Sequence, residues 1–347
     1  MLNIDGNYQH IIWSHDELDY EQFIHKGLLN SFTLNPRVTI GLSDRINITL
    51  SKAIGVRQMR FDAQESIHHR TESTLTDFYK SDANETLQAR GGLFGDFKLK
   101  MKFLHKDTGM KEGWRIYSGL GVVVPSKAVL LADPFKSPGN DISLDFNEDD
   151  EIDGLDDLNQ DGVTNSLDAW FTGDYDHRHF SLSNGVYKTS FDFQIFKKQF
   201  SNPIFYGAVL SCDIPLKESE SGFLPGINYS INSSMVFERS SYKQDEFNLL
   251  PGGFLYGLSY IGVEEASWDG NPTPNSRSMM LVPSIGGIWP LDKGSFSLSI
   301  QKPFFVKGRS IMVGIEDVSD DPLNNKTNVF EVVFGYRRNL GYMIPWL

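Results

Sequence analysis

The chain has 347 residues, and 45 acidic against 32 basic side chains give it a net charge of −13. Such an acidic chain is repelled by phosphate backbones, which argues against nucleic acid as a partner. No apolar run reaches the length of roughly 18 residues that a membrane-spanning helix needs, and the single cysteine, Cys212, excludes an internal disulfide.

Apolar and polar residues alternate along most of the chain, which predicts strands because successive side chains of a strand point to opposite faces. The pattern is clear at 295–301, where Phe296, Leu298 and Ile300 alternate with polar residues. A twelfth strand is expected within 8–15, since single-chain bacterial barrels have even strand numbers. In chain order the other predicted strands are 28–42, 45–60, 92–105, 113–126, 184–198, 203–216, 222–238, 248–265, 276–290, 295–306 and 327–338.

The predicted strands are long and their connections alternate in length. Many strands exceed the ~5–6 residues usual in soluble sheets and reach the ~9–11 that a tilted strand needs to cross a bilayer. Short turns on one side and long loops on the other are typical of outer-membrane barrels; only 217–221 breaks the alternation. The short connections are 42–45, 105–113, 199–203, 240–247 and 290–295, and the long ones are 61–91, 127–183, 266–275 and 307–326.

These patterns predict an all-β fold in which residues 1–347 form one closed antiparallel transmembrane barrel of about 12 strands with long extracellular loops. Its location would be the bacterial outer membrane, with lipid around it. No signal peptide is visible at 1–7, so we expect the targeting segment to have been removed. Aromatic residues near strand ends are expected at the two membrane interfaces; they are Trp114, Tyr206, Trp289, Tyr336 and Trp346.

The inward face of the predicted barrel carries an excess of positive charge. The acidic residues on it are fewer, namely Asp96, Asp192, Asp213 and Glu331. A charged interior is typical of water-filled barrels, and a basic excess would favour anionic solutes. Ion pairs that close the lumen are the alternative. The predicted lumen cations are Arg37, Arg57, Lys98, Lys100, Lys102, Arg115 and Arg337.

An acidic insert at 141–170, within one predicted extracellular loop, contains the most specific motif in the chain. A calcium loop places oxygen ligands at positions 1, 3, 5, 7, 9 and 12, with glycine at position 6 for a sharp turn. Starting at position 1, the second half of the insert supplies Asp157, Asn159, Asp161, the Val163 carbonyl, Asn165 and Asp168, and Gly162 stands at position 6.

The first half of the insert has the same spacing but a weaker match. Asp150 replaces glycine at position 6, and Gly154 is displaced. The ligands in this register would be Asp145, Asn147, Asp149, the Glu151 carbonyl, Asp153 and Asp156. The sequence therefore predicts bound Ca²⁺ that orders an exposed loop.

The insert resembles two families of calcium loop. Its second half is similar to the dockerin loop, which ends in Asp, and the adjacent arrangement of the two loops resembles thrombospondin type 3 repeats. Both resemblances cover about two dozen residues and imply Ca²⁺ as the ligand.

Several stretches of the barrel also resemble a known family. They are GGLFGDFKLKMKF at 91–103, GLGVVVPS at 119–126, NPTPNSR at 271–277, LVPSIGGIW at 281–289 and SLSIQKPFF at 297–305. They are similar to outer-membrane barrels described as transporters of the phenol meta-cleavage pathway, which are distantly like hydrophobic-compound transporters. The resemblance covers about 90–340 and implies a barrel that takes up small organic molecules.

Two histidine clusters, His68 with His69 and His177 with His179, could bind a transition metal or could be ordinary loop residues. Ser181, Ser183 and His179 lie close together in sequence, but no hydrolase motif accompanies them. We therefore predict a protein that is not an enzyme.

Three functions remain open from the sequence. The first is a porin-like transport barrel for passive diffusion of small solutes. The second is a structural or binding barrel whose calcium loop docks a surface protein partner. The third is a soluble calcium-binding β-sandwich.

Overall fold

The sheet of this protein closes on itself. The computed structural model describes residues 1–16, 24–61, 93–127, 129, 143–146, 150–158, 162–165, 168, 181–239, 249–273, 276–307 and 326–340. Within these residues no helix is long and apolar enough to cross a membrane.

The strands are named in chain order. They are β1 (Leu2–Asp16), β2 (Ile24–Gly41), β3 (Ile46–Phe61), β4 (Phe94–Lys106), β5 (Gly113–Val124), β6 (Lys188–Lys198), β7 (Phe205–Pro215), β8 (Phe223–Leu224), β9 (Asn228–Glu238), β10 (Gly253–Val263), β11 (Ser267–Trp268), β12 (Asn271–Pro272), β13 (Ser278–Leu291), β14 (Gly294–Gln301), β15 (Phe304–Lys307) and β16 (Lys326–Arg338).

Backbone pairing runs round the whole barrel. The order is β10-β9-β7-β6-β5-β4-β3-β2-β1-β16-β14-β13, and β13 pairs again with β10. Each of these pairs is antiparallel, including β1 with β16, which joins the two ends of the chain. In the described part of the chain, twelve strands therefore form a closed barrel, as the alternation predicted.

The two ends of the barrel differ in the length of their connections. The end that holds Leu2, here called the turn end, carries the links 42–45, 107–112, 199–204, 239–252 and 292–293. The opposite end, here called the loop end, carries the links 62–93 and 125–187 among others. Tight backbone hydrogen bonds, such as that from Leu42 N to the Ile46 carbonyl at 2.8 Å, close the short turns.

Side-chain exposure alternates along the strands as the sequence predicts. On β4, Phe97, Leu99 and Met101 are exposed, whereas Lys100 lies on the opposite face and lines a cavity inside the barrel. Each barrel strand contributes at least one exposed apolar side chain to an outer surface that we call the apolar belt. These side chains are Tyr8, Phe32, Leu50, Leu99, Leu120, Phe191, Leu210, Ile231, Leu258, Ile285, Leu298 and Phe330.

Two predicted strands are interrupted. The prediction of one strand over 222–238 was wrong, because Pro225 and Gly226 separate β8 from β9, and proline lacks the amide that a ladder needs. β8 instead pairs with β11 in a small three-stranded sheet outside the barrel order. The link between β7 and β9 thus spans 216–227, and the exception predicted at 217–221 disappears.

The prediction of one continuous strand over 295–306 was also wrong, because Pro303 divides it. In the β14–β16 register, where Gln301 faces Glu331, Pro303 would face Val329 and could donate no amide hydrogen to it. The Lys302 ammonium donates instead to the Val329 carbonyl at 2.9 Å. Beyond this point β15 follows β13 alone within the described residues.

Candidate functional site

A cavity of about 810 Å³ occupies the turn end of the lumen. This volume lies within the roughly 300–1,000 Å³ of ordinary small-molecule sites. Six of the seven predicted lumen cations line it, namely Arg37, Lys98, Lys100, Lys102, Arg115 and Arg337. The structure therefore brings these residues of four different strands together, and leaves Arg57 apart from them.

Two of the lysines on β4 reach acidic residues on other strands, Lys100 across β5 and Lys98 across β5 and β6. Lys98 Nζ lies 3.0 Å from Asp213 Oδ1 on β7, and Lys100 is bonded to Asp192 on β6. Charged pairs that are partly withdrawn from water need such close partners. The inward positions of β5 between them are glycines, Gly119 and Gly121.

The two glycines make room for these ion pairs. A Cβ on Gly119 would overlap the carboxylate of Asp192. A Cβ on Gly121 would lie 2.6 Å from the Leu99 carbonyl oxygen and 3.2 Å from Lys100 Cβ. The bare backbone of β5 therefore lets side chains from β4 and β6 meet above it.

The ion pairs are displaced by one inward position relative to the backbone register. Across the sheet, Lys102 stands in line with Gly119 and Asp192. Asp192 nevertheless binds Lys100, one step nearer the loop end. Asp213 stands in line with Lys100 in the same way but binds Lys98. Barrel strands are tilted, which fits this stagger, and the stagger leaves Lys102 at the end of the row.

The remaining cations of the cavity have different partners. Arg37 forms an ion pair with Asp5, an inward acid on β1 that the sequence analysis missed because it began that strand at residue 8. The alternation of Asn3, Asp5, Asn7 and Gln9 was the available signal. Within the described chain, Arg337 has no carboxylate partner, and its Nε contacts Met1 Sδ at 3.0 Å.

The turn that joins β4 to β5 holds the side chain of Arg115, which lies on β5. Its Nε donates to Asp107 Oδ1 at 2.8 Å, and a second nitrogen donates to the Gly109 carbonyl at 2.5 Å. The hydrogen bond from Arg115 is the main cause that lowers the pKa of Asp107, with further help from the Gly109 amide. Asp107 therefore lines the cavity as well, although it was not among the acidic residues predicted on the inward face.

Arg57 positions a segment that folds against the inner wall. Its guanidinium donates to the Ser181 carbonyl. The next residue, Leu182, fills the space that the side chains of Gly55 and Gly95 would occupy. Arg57 therefore serves packing near the loop end rather than the cavity at the turn end.

The serines near this segment are engaged in local hydrogen bonds. Ser181 Oγ donates to the Ser183 carbonyl at 2.6 Å, and Ser183 Oγ accepts from the Gly185 amide at 3.0 Å. His179 lies outside the described residues, as do His68, His69 and His177.

Four predicted girdle aromatics lie near the turn end. Trp114 packs edge-on against Tyr206 with ring centroids 5.9 Å apart, and Lys197 Nζ lies 5.8 Å from each ring. Trp289 and Tyr336 occupy the turn-end portions of β13 and β16. Trp346 lies outside the described residues.

Backbone amides in the first half of the acidic insert donate hydrogen bonds to nearby carboxylates. The Asp150 amide donates to Asp145 Oδ2 at 2.9 Å, and the Asp153 amide donates to Asp156 Oδ2 at 3.0 Å. In the calcium-loop numbering these bonds join position 6 to position 1 and position 9 to position 12. Asp156 is fully buried.

The second half repeats the same bonds twelve residues later. The Gly162 amide donates to Asp157 Oδ2 at 2.8 Å, and the Asn165 amide donates to Asp168 Oδ2 at 2.7 Å. Asp168 is fully buried, like its counterpart in the first half. The two halves therefore share these bonds and the burial of the last aspartate, as well as their spacing.

The expected difference at position 6 is absent from the backbone. Asp150 has a φ of 69°, close to the left-handed conformation of Gly162 with a φ of 92°. Aspartate tolerates this region better than most residues because its short side chain bonds locally. The first loop thus makes the sharp turn without glycine.

The described residues alone do not complete a metal site. No group of three His, Cys, Asp or Glu side chains among them converges on one point. Four predicted ligands lie outside the described residues, namely Asn147, Asp149, Asn159 and Asp161.

Solved structures with some likeness to this chain include outer-membrane channels. One, from Pseudomonas putida F1, has 10% identity and a TM-score of 0.49, with 97% of this chain and 94% of that chain covered. A TodX monoaromatic hydrocarbon channel mutant has 10% identity and a TM-score of 0.40 over 98% and 89% of the two chains. A Pseudomonas aeruginosa FadL homologue has 8% identity and a TM-score of 0.38 over 96% and 89%.

No family model matches the chain, and no curated protein matches it. Because every TM-score reported above is below 0.5, the barrel assignment rests on the strand pairing and not on these likenesses.

We predict that Gly119→Val destabilises the barrel, because the added side chain displaces the Asp192 carboxylate from Lys100. Overpacking of this kind costs about 1–3 kcal/mol. When samples are heated to increasing temperatures before electrophoresis, the band of the folded variant should be lost at a lower temperature than that of the wild type. Gly41→Val is the control, because a Cβ on Gly41 has no neighbour within 4 Å; equal effects of both variants would contradict the prediction.

Proposed function

We propose that this protein is a channel of the bacterial outer membrane through which small molecules diffuse passively. The observation that carries the proposal is the apolar belt, to which every barrel strand contributes an exposed apolar side chain. Soluble proteins rarely expose a continuous apolar surface of this extent, since each Å² costs about 25 cal/mol in water. Lipid removes that cost.

The charged lining of the interior also supports a location in the membrane. A soluble β-barrel or β-sandwich places its apolar residues inside, whereas this barrel lines its cavity with six cations and three aspartates. Charged groups on the inside and apolar groups on the outside are the arrangement that a lipid solvent selects. The prediction of a soluble β-sandwich is wrong, because the twelve strands form one closed sheet and not two packed ones.

The cavity lining also bears on the solute. The family resemblance implies small organic molecules, and the charged lining favours those that are polar or ionised over purely apolar ones. We infer that transport, not catalysis, is the role of the lumen.

We predict that an outward arginine destabilises the barrel in lipid and an inward one does not. Leu50 is exposed on the apolar belt, and its neighbour Ser51 lines the cavity. Leu50→Arg should lower the free energy of unfolding in vesicles by about 2–4 kcal/mol. Ser51→Arg, which adds the same side chain, is the control. If the free energy of unfolding of Leu50→Arg equals that of the wild type, and the wild type stays dispersed without detergent, the membrane location is wrong.

A liposome-swelling assay tests transport. Vesicles that contain the refolded barrel should swell in isosmotic solutions of small sugars and amino acids faster than vesicles without protein, because the lumen admits them. Equal rates would mean that ion pairs and the segment at 181–187 close the lumen.

We also propose that the acidic insert binds two calcium ions, one in each loop. The support is the same pair of hydrogen bonds in both loops, which join position 6 to position 1 and position 9 to position 12 of the spacing that a calcium loop requires. The twelve ligand positions are those given by the sequence. Ca²⁺ would offset the mutual repulsion of these carboxylates and order the loop.

The insert also favours a second function, docking of a surface protein partner. Ile152, Leu155 and Val163 are 61%, 68% and 61% exposed on the two loops. Apolar side chains presented on a calcium-ordered loop are suited to contact another protein. A barrel that admits no solute but binds a partner only with calcium would support this function in place of transport.

We predict that calcium protects the insert from proteolysis. Removal of calcium with a chelator should increase cleavage within 141–170 and leave the barrel strands intact. In the Asp168→Ala variant, the protease should cleave the second loop equally with and without calcium. The Glu218→Ala variant, whose substitution lies outside the insert, should behave as the wild type. Cleavage that is independent of calcium in the wild type would count against binding.

A further inference from the structure

Among the described residues, one lysine of the inward row on β4, Lys102, has no carboxylate in an ion pair with it. Lys98 and Lys100 are neutralised by Asp213 and Asp192. Asp192 is the acid in line with Lys102, but it is bonded to Lys100 and also accepts a hydrogen bond from Gln194 at 2.8 Å. In the described part of the chain, no carboxylate forms an ion pair with Lys102.

The surroundings of Lys102 add to this positive charge. Its charged neighbours are the cations Lys100 and Arg37 and the already bonded Asp192. Arg37 is itself paired with Asp5. Arg337, the other cation of the cavity without a carboxylate partner among the described residues, lines the same space.

The charges of the cavity therefore do not cancel. Four cations, Lys98, Lys100, Arg37 and Arg115, have an acidic partner each. In the part of the chain that the structure describes, Lys102 and Arg337 have none. A cation inside a protein wall is less well screened than one in bulk water, so an anion that enters the cavity is attracted to it.

We propose that Lys102 and Arg337 form an anion-binding site in the turn-end cavity, which makes the channel selective for small solutes that carry a carboxylate or phosphate group. Lys102 supplies a point charge with three donors, and Arg337 supplies a planar fork that matches two oxygens of such a group. The cavity of about 810 Å³ leaves room for a small organic anion. This inference rests on the proposed channel function.

Ion selectivity in planar bilayers tests the proposal. Under a gradient of potassium chloride near 0.1 M, where the screening length is about 10 Å, the wild type should pass chloride in preference to potassium. Lys102→Gln should reduce the chloride-to-potassium permeability ratio by about twofold or more, and Lys102→Glu should reduce it further. Lys52→Gln is the matched control. Lys52 faces outward over the Phe94 ring, so the substitution removes the same charge outside the lumen.

A binding measurement separates this proposal from the channel function. Titration of inorganic phosphate, and separately of acetate, into the detergent-solubilised barrel should show binding that Lys102→Gln and Arg337→Gln each weaken by about tenfold, the loss of a charge-assisted hydrogen bond of ~1.4 kcal/mol. Lys52→Gln should bind as the wild type.

The outcomes are distinct. A wild type that conducts without anion preference, or a ratio that Lys102→Gln leaves unchanged, overturns the anion site and leaves the channel. A wild type that binds phosphate through Lys102 but never conducts overturns the channel and leaves the site. Absence of both conductance and phosphate binding overturns both.

Discussion

The constraint on which the rest of this structure depends is that every backbone amide and carbonyl of a lipid-exposed sheet needs a partner within the protein. Pairing of β13 with β10 and of β16 with β1 meets it by leaving the barrel without an edge. Where Pro303 interrupts the ladder, the Lys302 ammonium bonds the Val329 carbonyl instead. Closure in turn separates one apolar face from one polar face, since successive side chains alternate.

Closure also limits the space inside, and the lumen chemistry follows from that limit. Charged side chains from β4, β6 and β7 meet above β5 because Gly119 and Gly121 have no side chains. The meeting is staggered, so that a row of three lysines faces two aspartates and its last member stays unmatched. The functional character of the cavity is thus a consequence of strand geometry as much as of composition.

The acidic insert differs from the barrel, because its hydrogen bonds join residues that are close in sequence. Each loop bonds its own amides to its own carboxylates over three to five residues, and the Thr164 hydroxyl donates to the Asp153 carbonyl at 2.9 Å to link the two loops. Such bonds depend on spacing along the chain and not on the barrel. This is why the spacing shared by the two halves could be seen in the sequence, although the difference expected at position 6 is absent from the backbone of Asp150.

By itself the sequence determined the all-β class, the long alternating strands and the inward face of the six cations that line the cavity, because alternation along one strand is a local property. It failed where proline breaks a ladder, at Pro225 and Pro303, and it began β1 several residues late, so that Asp5 was missed. Only the tertiary structure decided that Asp192 binds Lys100 rather than Lys102, and that Arg57 holds the Ser181 carbonyl instead of lining the cavity. The physical reason is that partners on different strands are set by the tilt and register of the closed barrel, which no single stretch of sequence contains.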